Sequence, residues 1–270
     1  MELAIDAGAK HEIAQLTKPL RIRKSYSYLE TQIPERFSDR RAAPPRALRP
    51  PATRIGSSRG AALRLHLMVL ADAQTHTRTG TRPTITRKVD ATGGWVDVVA
   101  SDAVHSTSNS HVMVRDKKKR TVAGALKKLK DAGLIELPNL TMTRDKFDGF
   151  VLLDESGSPS TTPKPYNVPK AGPMVMSLPP TLITKGWVHV LEDSELAVIM
   201  MVATSFGNVA ANEPDRVVAI SGTDRLLNEV SRRPGRCENF PLQVWQTAVM
   251  GAKNRGPRAQ PSGPTGSMLT

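Results

Sequence analysis

The 270-residue sequence predicts an α+β chain whose folded centre lies over residues 59–155, flanked by tracts of poorer packing potential. Three observations carry this expectation. Residues 115–153 read RDKKKRTVAGALKKLKDAGLIELPNLTMTRDKFDGFVLL, in which helical spacing gives way, after a glycine, to strand spacing. Residues 60–77 are apolar enough for a well-packed helix. Finally, 21 prolines and an aromatic content of 4% leave parts of the chain with too little apolar surface to offset the entropy of ordering.

Taken in order, residues 1–58 are expected to form a basic arm and linker. Ile13, Leu16 and Leu20 give a weak helical pattern that Pro19 breaks. Tyr26 and Tyr28 sit in RIRKSYSYL, for which a solvated helix or a disordered arm is favoured over a patch touching a nucleic-acid backbone. The tract RRAAPPRALRPPATR suits a flexible cationic linker. In the helix over 60–77, Leu63, Leu67 and Leu70 mark one face, thickened by Leu65, Met68 and Val69. A basic loop, 81–88, leads to a short strand over 95–99, WVDVV. Ala103, Val104, Val112 and Val114 imply a short or distorted helix over 101–114, interrupted by serines.

The next helix is the best written. Val122, Leu126 and Leu129, with Ala125, form one apolar stripe, while Lys127, Lys128 and Lys130 fall off it and should meet solvent. Thr121 is a plausible start, and Gly133 stands where a left-handed residue would stop the helix. Leu134, Ile135, Glu136 and Leu137 alternate as a half-buried strand. Phe150 to Leu153 form a second strand behind the turn dipeptide Asp148-Gly149. By composition 156–176 is a proline-rich linker. A second, mostly helical unit is expected over 177–250: Ser194 is a cap for a helix in which residues 196–202 are apolar all round, and such helices are buried. Beyond Thr204 the pattern decays, with a short helix over 224–230 and Trp245 as a lone anchor; 251–270 should be disordered.

The charge balance narrows the partner. Lys plus Arg is 38 against 25 for Asp plus Glu, a net charge of +13, which suits a polyanion, nucleic acid ahead of a membrane surface. The charge is clustered: Arg115, Lys117, Lys118, Lys119, Arg120, Lys127, Lys128 and Lys130 lie close together, opposed within that run only by Asp116. The single cysteine, Cys237, excludes an internal disulfide and a cysteine-rich zinc site. With no bilayer-length apolar run and no secretory pattern in MELAIDAGAKHEI, a soluble cytoplasmic protein is expected.

Catalytic patterns fail one by one. Gly56-Ser57-Ser58-Arg59-Gly60 matches a nucleophile elbow in letters, but RPPATRI is no buried strand to hold the serine up. His105, His111, Asp102 and Asp116 fit no metal-ligand spacing. Asp215 and Glu229 suggest a nuclease pair, but Ser231 stands where its lysine belongs. No Gly-Lys-Ser phosphate loop and no histidines flanking a single apolar residue occur. No enzyme activity, cofactor or metal is expected.

The phrase Arg120-Thr121-Val122, then Ala125-Leu126, Leu129 and Gly133-Leu134-Ile135, resembles the recognition helix and first wing strand of the winged helix-turn-helix superfamily, particularly as found in bacterial transcription regulators. The resemblance implies a domain over 59–155, with 60–77 as its first helix, WVDVV as its small strand and 101–114 as the helix bracing the recognition helix. The opening of the unit at Ser177 resembles that of a second winged helix, as in tandem-domain plasmid replication initiators, although no second copy of the phrase follows. Sequence-specific binding of double-stranded DNA is then implied, by a replication-initiator-like protein or a transcription regulator, as a monomer or a homodimer. Arg120, Thr121, Lys127 and Lys128 would enter the major groove; Lys117, Lys118 and Lys119 would meet phosphates, as would Arg144 and Lys146 on the wing. The alternative is a non-catalytic scaffold whose wing hairpin pairs with a protein by strand addition.

Overall fold

Dense apolar spacing makes the segment after Ala61 the buried centre of the fold. In the computed structural model, helix α2 (Ala62–His76) hides Leu63, Leu65, Leu67, Val69 and Leu70 completely. The structure describes residues 16–28, 49–57, 61–99, 114–157 and 163–206. These fall within one contact unit, Met1–Arg232; a second unit, Arg233–Thr270, lies outside the described residues. Of the helix expected over 101–114 all but Val114, which belongs to the next helix, lies outside them, as do most of the Pro/Arg-rich tract, the helix over 224–230, Trp245 and the tail.

Among the described residues the architecture is α+β, three longer helices and several single-turn ones with two small antiparallel sheets. One sheet pairs β1 (Leu20–Arg23) with β4 (Val175–Leu178), Leu20 opposite Leu178 and Arg23 opposite Val175. The other pairs β2 (Ile135–Glu136) with β3 (Val151–Leu152). Around α2 stand α1 (Pro51–Ile55), α3 (Trp95–Val98), α4 (Val114–Asp131), α5 (Thr181–Thr184), α6 (Trp187–Val190) and α7 (Asp193–Phe206). Helices α1, α4 and α6 pack on α2, α3 packs on α4, and α7 packs on β4.

Several expectations change. The RIRKSYSYL segment is strand β1 followed by a 3-10 turn, Lys24–Tyr26, and Tyr26 is fully buried. Alternation explains the strand: Leu20 and Ile22 face the core while Arg21 and Arg23 are half-buried. WVDVV forms one helical turn rather than a strand. The Trp95 and Val96 amides donate to the Lys88 and Val89 carbonyls, and Asp97 accepts from the Gly93 amide at 3.0 Å. So short an apolar run carries no decisive period.

Packing also runs across the divisions expected from composition. Strand β1 from the basic arm pairs with β4 at the opening of the expected second unit. In the expected linker, Leu153 bridges Pro165, the Tyr166 amide donates to the Leu152 carbonyl at 3.0 Å, and Tyr166 is buried. Helix α7 starts at Asp193, so Ser194 is an exposed residue inside it and not its cap; Leu196, Met200 and Met201 are buried, while Val198 and Val202 are half-buried.

Polar groups tie these pieces together. The Tyr26 hydroxyl lies 2.8 Å from His66 Nδ1, both residues buried; burial alone holds the imidazole down at about 3, hence neutral. Gln74 takes the Arg21 amide proton and donates to the Arg21 carbonyl, locking α2 to β1. Arg23 pairs with the buried Glu155 carboxylate, and burial pushes that carboxyl up to about 7 against the pull of the guanidinium.

Helix α4 follows its predicted phase. Val122, Ala125, Leu126 and Leu129 are buried, and the helix ends at Gly133 with φ +70°. There the Leu134 amide donates to Leu129 and the Gly133 amide to Lys130, the paired bonds of a Schellman stop. Leu126 is fully buried, so Leu126→Ala is expected to cost about 2–5 kcal/mol in urea denaturation. A neutral result would mean that the helix is wrongly phased.

Candidate nucleic-acid interface

With one stripe of α4 committed to the core, its remaining faces carry the basic cluster. Arg120, Gly124, Lys127 and Asp131 recur one turn apart along the outer ridge, and all four are exposed, as is Lys130 beside them. No ion-pair partner for Arg120, Lys127 or Lys130 occurs among the described residues. Lys117 and Lys118 are half-buried on the helix flanks.

Other members of the cluster are engaged internally. Arg115 reaches Asp97 at 2.8 Å and Asp90 at 3.4 Å, and Lys119 reaches Asp90 at 2.5 Å. These two acids, invisible as partners in the sequence, neutralise one flank of the helix start. Lys128 departs from the expectation of a solvent-facing side chain. It is half-buried and donates to the Gly56 carbonyl at 3.4 Å. Its charge also helps to hold down the Asp193 carboxyl, which burial otherwise raises. Thr121 is not the helix start: α4 already includes Val114, and the Thr121 hydroxyl donates back to the Lys117 carbonyl at 3.0 Å. Serine and threonine inside helices commonly satisfy themselves this way.

Between β2 and β3 a long loop presents Arg144 and Lys146, both exposed, with the exposed Met142. Lys146 stacks on Phe147, its Nζ 5.2 Å from the ring centre. The loop is built by two left-handed residues, Asp145 at φ 53° and Gly149 at φ 65°. Asn139 donates to the Asp148 carbonyl at 3.1 Å across its base. Asp148 also accepts the Val89 amide at 2.7 Å, and the next residue, Asp90, holds Lys119 and Arg115. A continuous set of contacts therefore fastens the loop carrying Arg144 and Lys146 alongside the first turns of α4.

The distribution of charge along α4 runs against helix stability. A helix start carries partial positive charge and favours acids, by about 0.3–1 kcal/mol each, whereas Lys117, Lys118, Lys119 and Arg120 crowd the first half of α4 and only Asp116 complements it. Cations so placed attract an external anion. Among the described residues no group of three or more His, Cys, Asp or Glu is placed to hold a metal ion, and no helix is long and apolar enough to cross a membrane. Compared with protein-family profiles, with curated proteins and with solved structures, the chain gives no match in any of the three.

Proposed function

We propose that the chain is a sequence-specific double-stranded DNA-binding protein, with α4 as the recognition helix and the loop between β2 and β3 as the wing of a winged helix-turn-helix domain. One observation carries the reading: a helix packed on its inner stripe carries Arg120 and Lys127 on its exposed ridge, and the loop bearing Arg144 and Lys146 is fastened beside its start. Arg120 is the best base reader, because a guanidinium fork matches the edge of guanine; Lys117, Lys118, Lys119 and Lys146 add affinity through phosphates. Lys128, turned to Gly56 and Asp193, supports the position of the helix rather than reading DNA.

The strand-addition scaffold has less support. The outer edge of β3 is already taken by residues 164–166, and β2 is two residues long. Between the two DNA-binding roles, the packing of α6 on α2 and the pairing of β4 with β1 favour a single reading unit, as in a regulator, over tandem winged helices. Selection of bound sequences from random duplexes separates them: an inverted repeat favours a dimeric regulator, direct repeats an initiator.

The test is retention on duplex DNA as salt rises. Contact with about five phosphates weakens binding roughly 500-fold between about 50 and 200 mM salt. Binding that is absent, or that barely responds to salt, removes the proposal.

A further inference from the structure

Gly124 occupies the middle of the outward ridge of α4, between Arg120 and Lys127, and it is exposed. Glycine inside a helix costs about 1 kcal/mol relative to alanine. Two other described glycines have evident internal reasons. Gly133 ends α4 with positive φ, and a Cβ on Gly94 would come within 2.6 Å of the Lys88 carbonyl. Gly124 has neither: its φ is helical, and an added Cβ meets nothing within 4 Å. Packing among the described residues therefore gives no reason for the missing side chain.

An external surface does. The B-DNA major groove is about 12 Å wide, little more than the diameter of a helix with its side chains. A helix can approach the groove floor only where its leading ridge is low. Arg120 and Lys127 are separated by seven residues, about 10 Å of helix and so about three base-pair steps, with Gly124 midway. Resting on the DNA-binding reading above, we infer that Gly124 is the point of closest approach of α4 to the floor of the major groove. It is a positioning residue that lets Arg120 and Lys127 reach base edges on either side. Duplex DNA is the occupant because the two residues flanking the low point are exposed cations.

The experiment compares the full chain with Gly124→Ala and Gly124→Gln on a duplex selected from random sequence and on a scrambled duplex. Both substitutions should raise the melting temperature by a few degrees, since they improve helix propensity without meeting a neighbour. Gly124→Gln should lose at least about tenfold of the preference for the selected duplex, while its salt-dependent binding to scrambled DNA stays at the wild-type level. Gly124→Ala should lie between. Full selectivity in Gly124→Gln, a lowered melting temperature in Gly124→Ala, or a wild type that binds DNA without selecting any sequence would each overturn the inference while leaving DNA binding standing. A wild type that retains no DNA would instead bring down the reading beneath it.

Discussion

Arg120→Glu combined with Lys127→Glu should reduce retention on duplex DNA by about a hundredfold at 0.1 M salt, with the melting temperature unchanged. Each cation brought against the duplex neutralises about one phosphate charge, whether its head meets a phosphate or a base edge. It contributes about 0.9 to the slope of log K against log salt, so two lost cations account for roughly 60-fold, and the reversed charges add repulsion. The slope itself should become shallower by about two. Both side chains are exposed on the ridge opposite Val122, Leu126 and Leu129, so the fold loses nothing when they change. Lys128→Glu serves as the contrasting control. It would set a second carboxylate against Asp193 and withdraw the hydrogen bond to Gly56, so it should lower stability as well as binding. Equal DNA retention by the wild type and the Arg120/Lys127 double variant, both folded by circular dichroism, removes α4 as the contact surface.

Acid should unfold the chain well before its surface carboxylates account for the loss. His66 is completely buried, and its imidazole is held neutral down to about 3 against 6.5 in the unfolded chain. Its folded pKa is depressed, so the unfolded state binds the extra proton. The stability it secures is whole above pH 6.5 and drains away as pH falls towards 3, on the order of 4–5 kcal/mol in all. That is comparable with the net stability of many domains. His189, lowered by burial to about 4 with the Arg64 charge assisting, acts in the same direction. Glu155 opposes them: its raised pKa favours folding below 4.5 and withdraws that contribution as pH rises through about 7. Between pH 4.5 and 6.5 the two effects offset in part, so the steep loss should fall at the acid end.

His66→Gln, which cannot titrate, should flatten that limb when urea midpoints are compared between pH 7.5 and pH 4. If the variant is too unstable to measure, the His66 ring resonances of the wild type should show a neutral imidazole at pH 5. An unchanged slope in the variant, or a protonated ring in the wild type, would refute the assignment.

Much of α4 and the hairpin was legible because its signals are local. The apolar stripe at Val122, Leu126 and Leu129 follows from 3.6-residue periodicity, the stop at Gly133 from the ease with which glycine takes positive φ, and the turn at Gly149 from the same freedom. The helix of residues 62–76 was readable for a related reason: its leucines are too dense for a strand of ordinary length. Less local features escaped. Tyr26 looked like part of a solvated arm because its partner, His66, belongs to another element. The tract around Tyr166 looked like a linker because proline count says nothing about whether a neighbouring strand offers an unpaired edge, as β3 does.

The sequence by itself determined the phase of α4, the place where it stops and the sign of the charge it carries, since each depends on residues within a turn or two of one another. Only the tertiary structure decided which of those charges remain available. Arg115 and Lys119 answer to Asp90 and Asp97, and Lys128 answers to Gly56 and Asp193. Arg120 and Lys127 stay outward on the ridge that Gly124 leaves low. The physical reason is range: a helical period is set by neighbours along the chain, whereas a cation is neutralised by whichever carboxylate or carbonyl folding brings within a few ångströms.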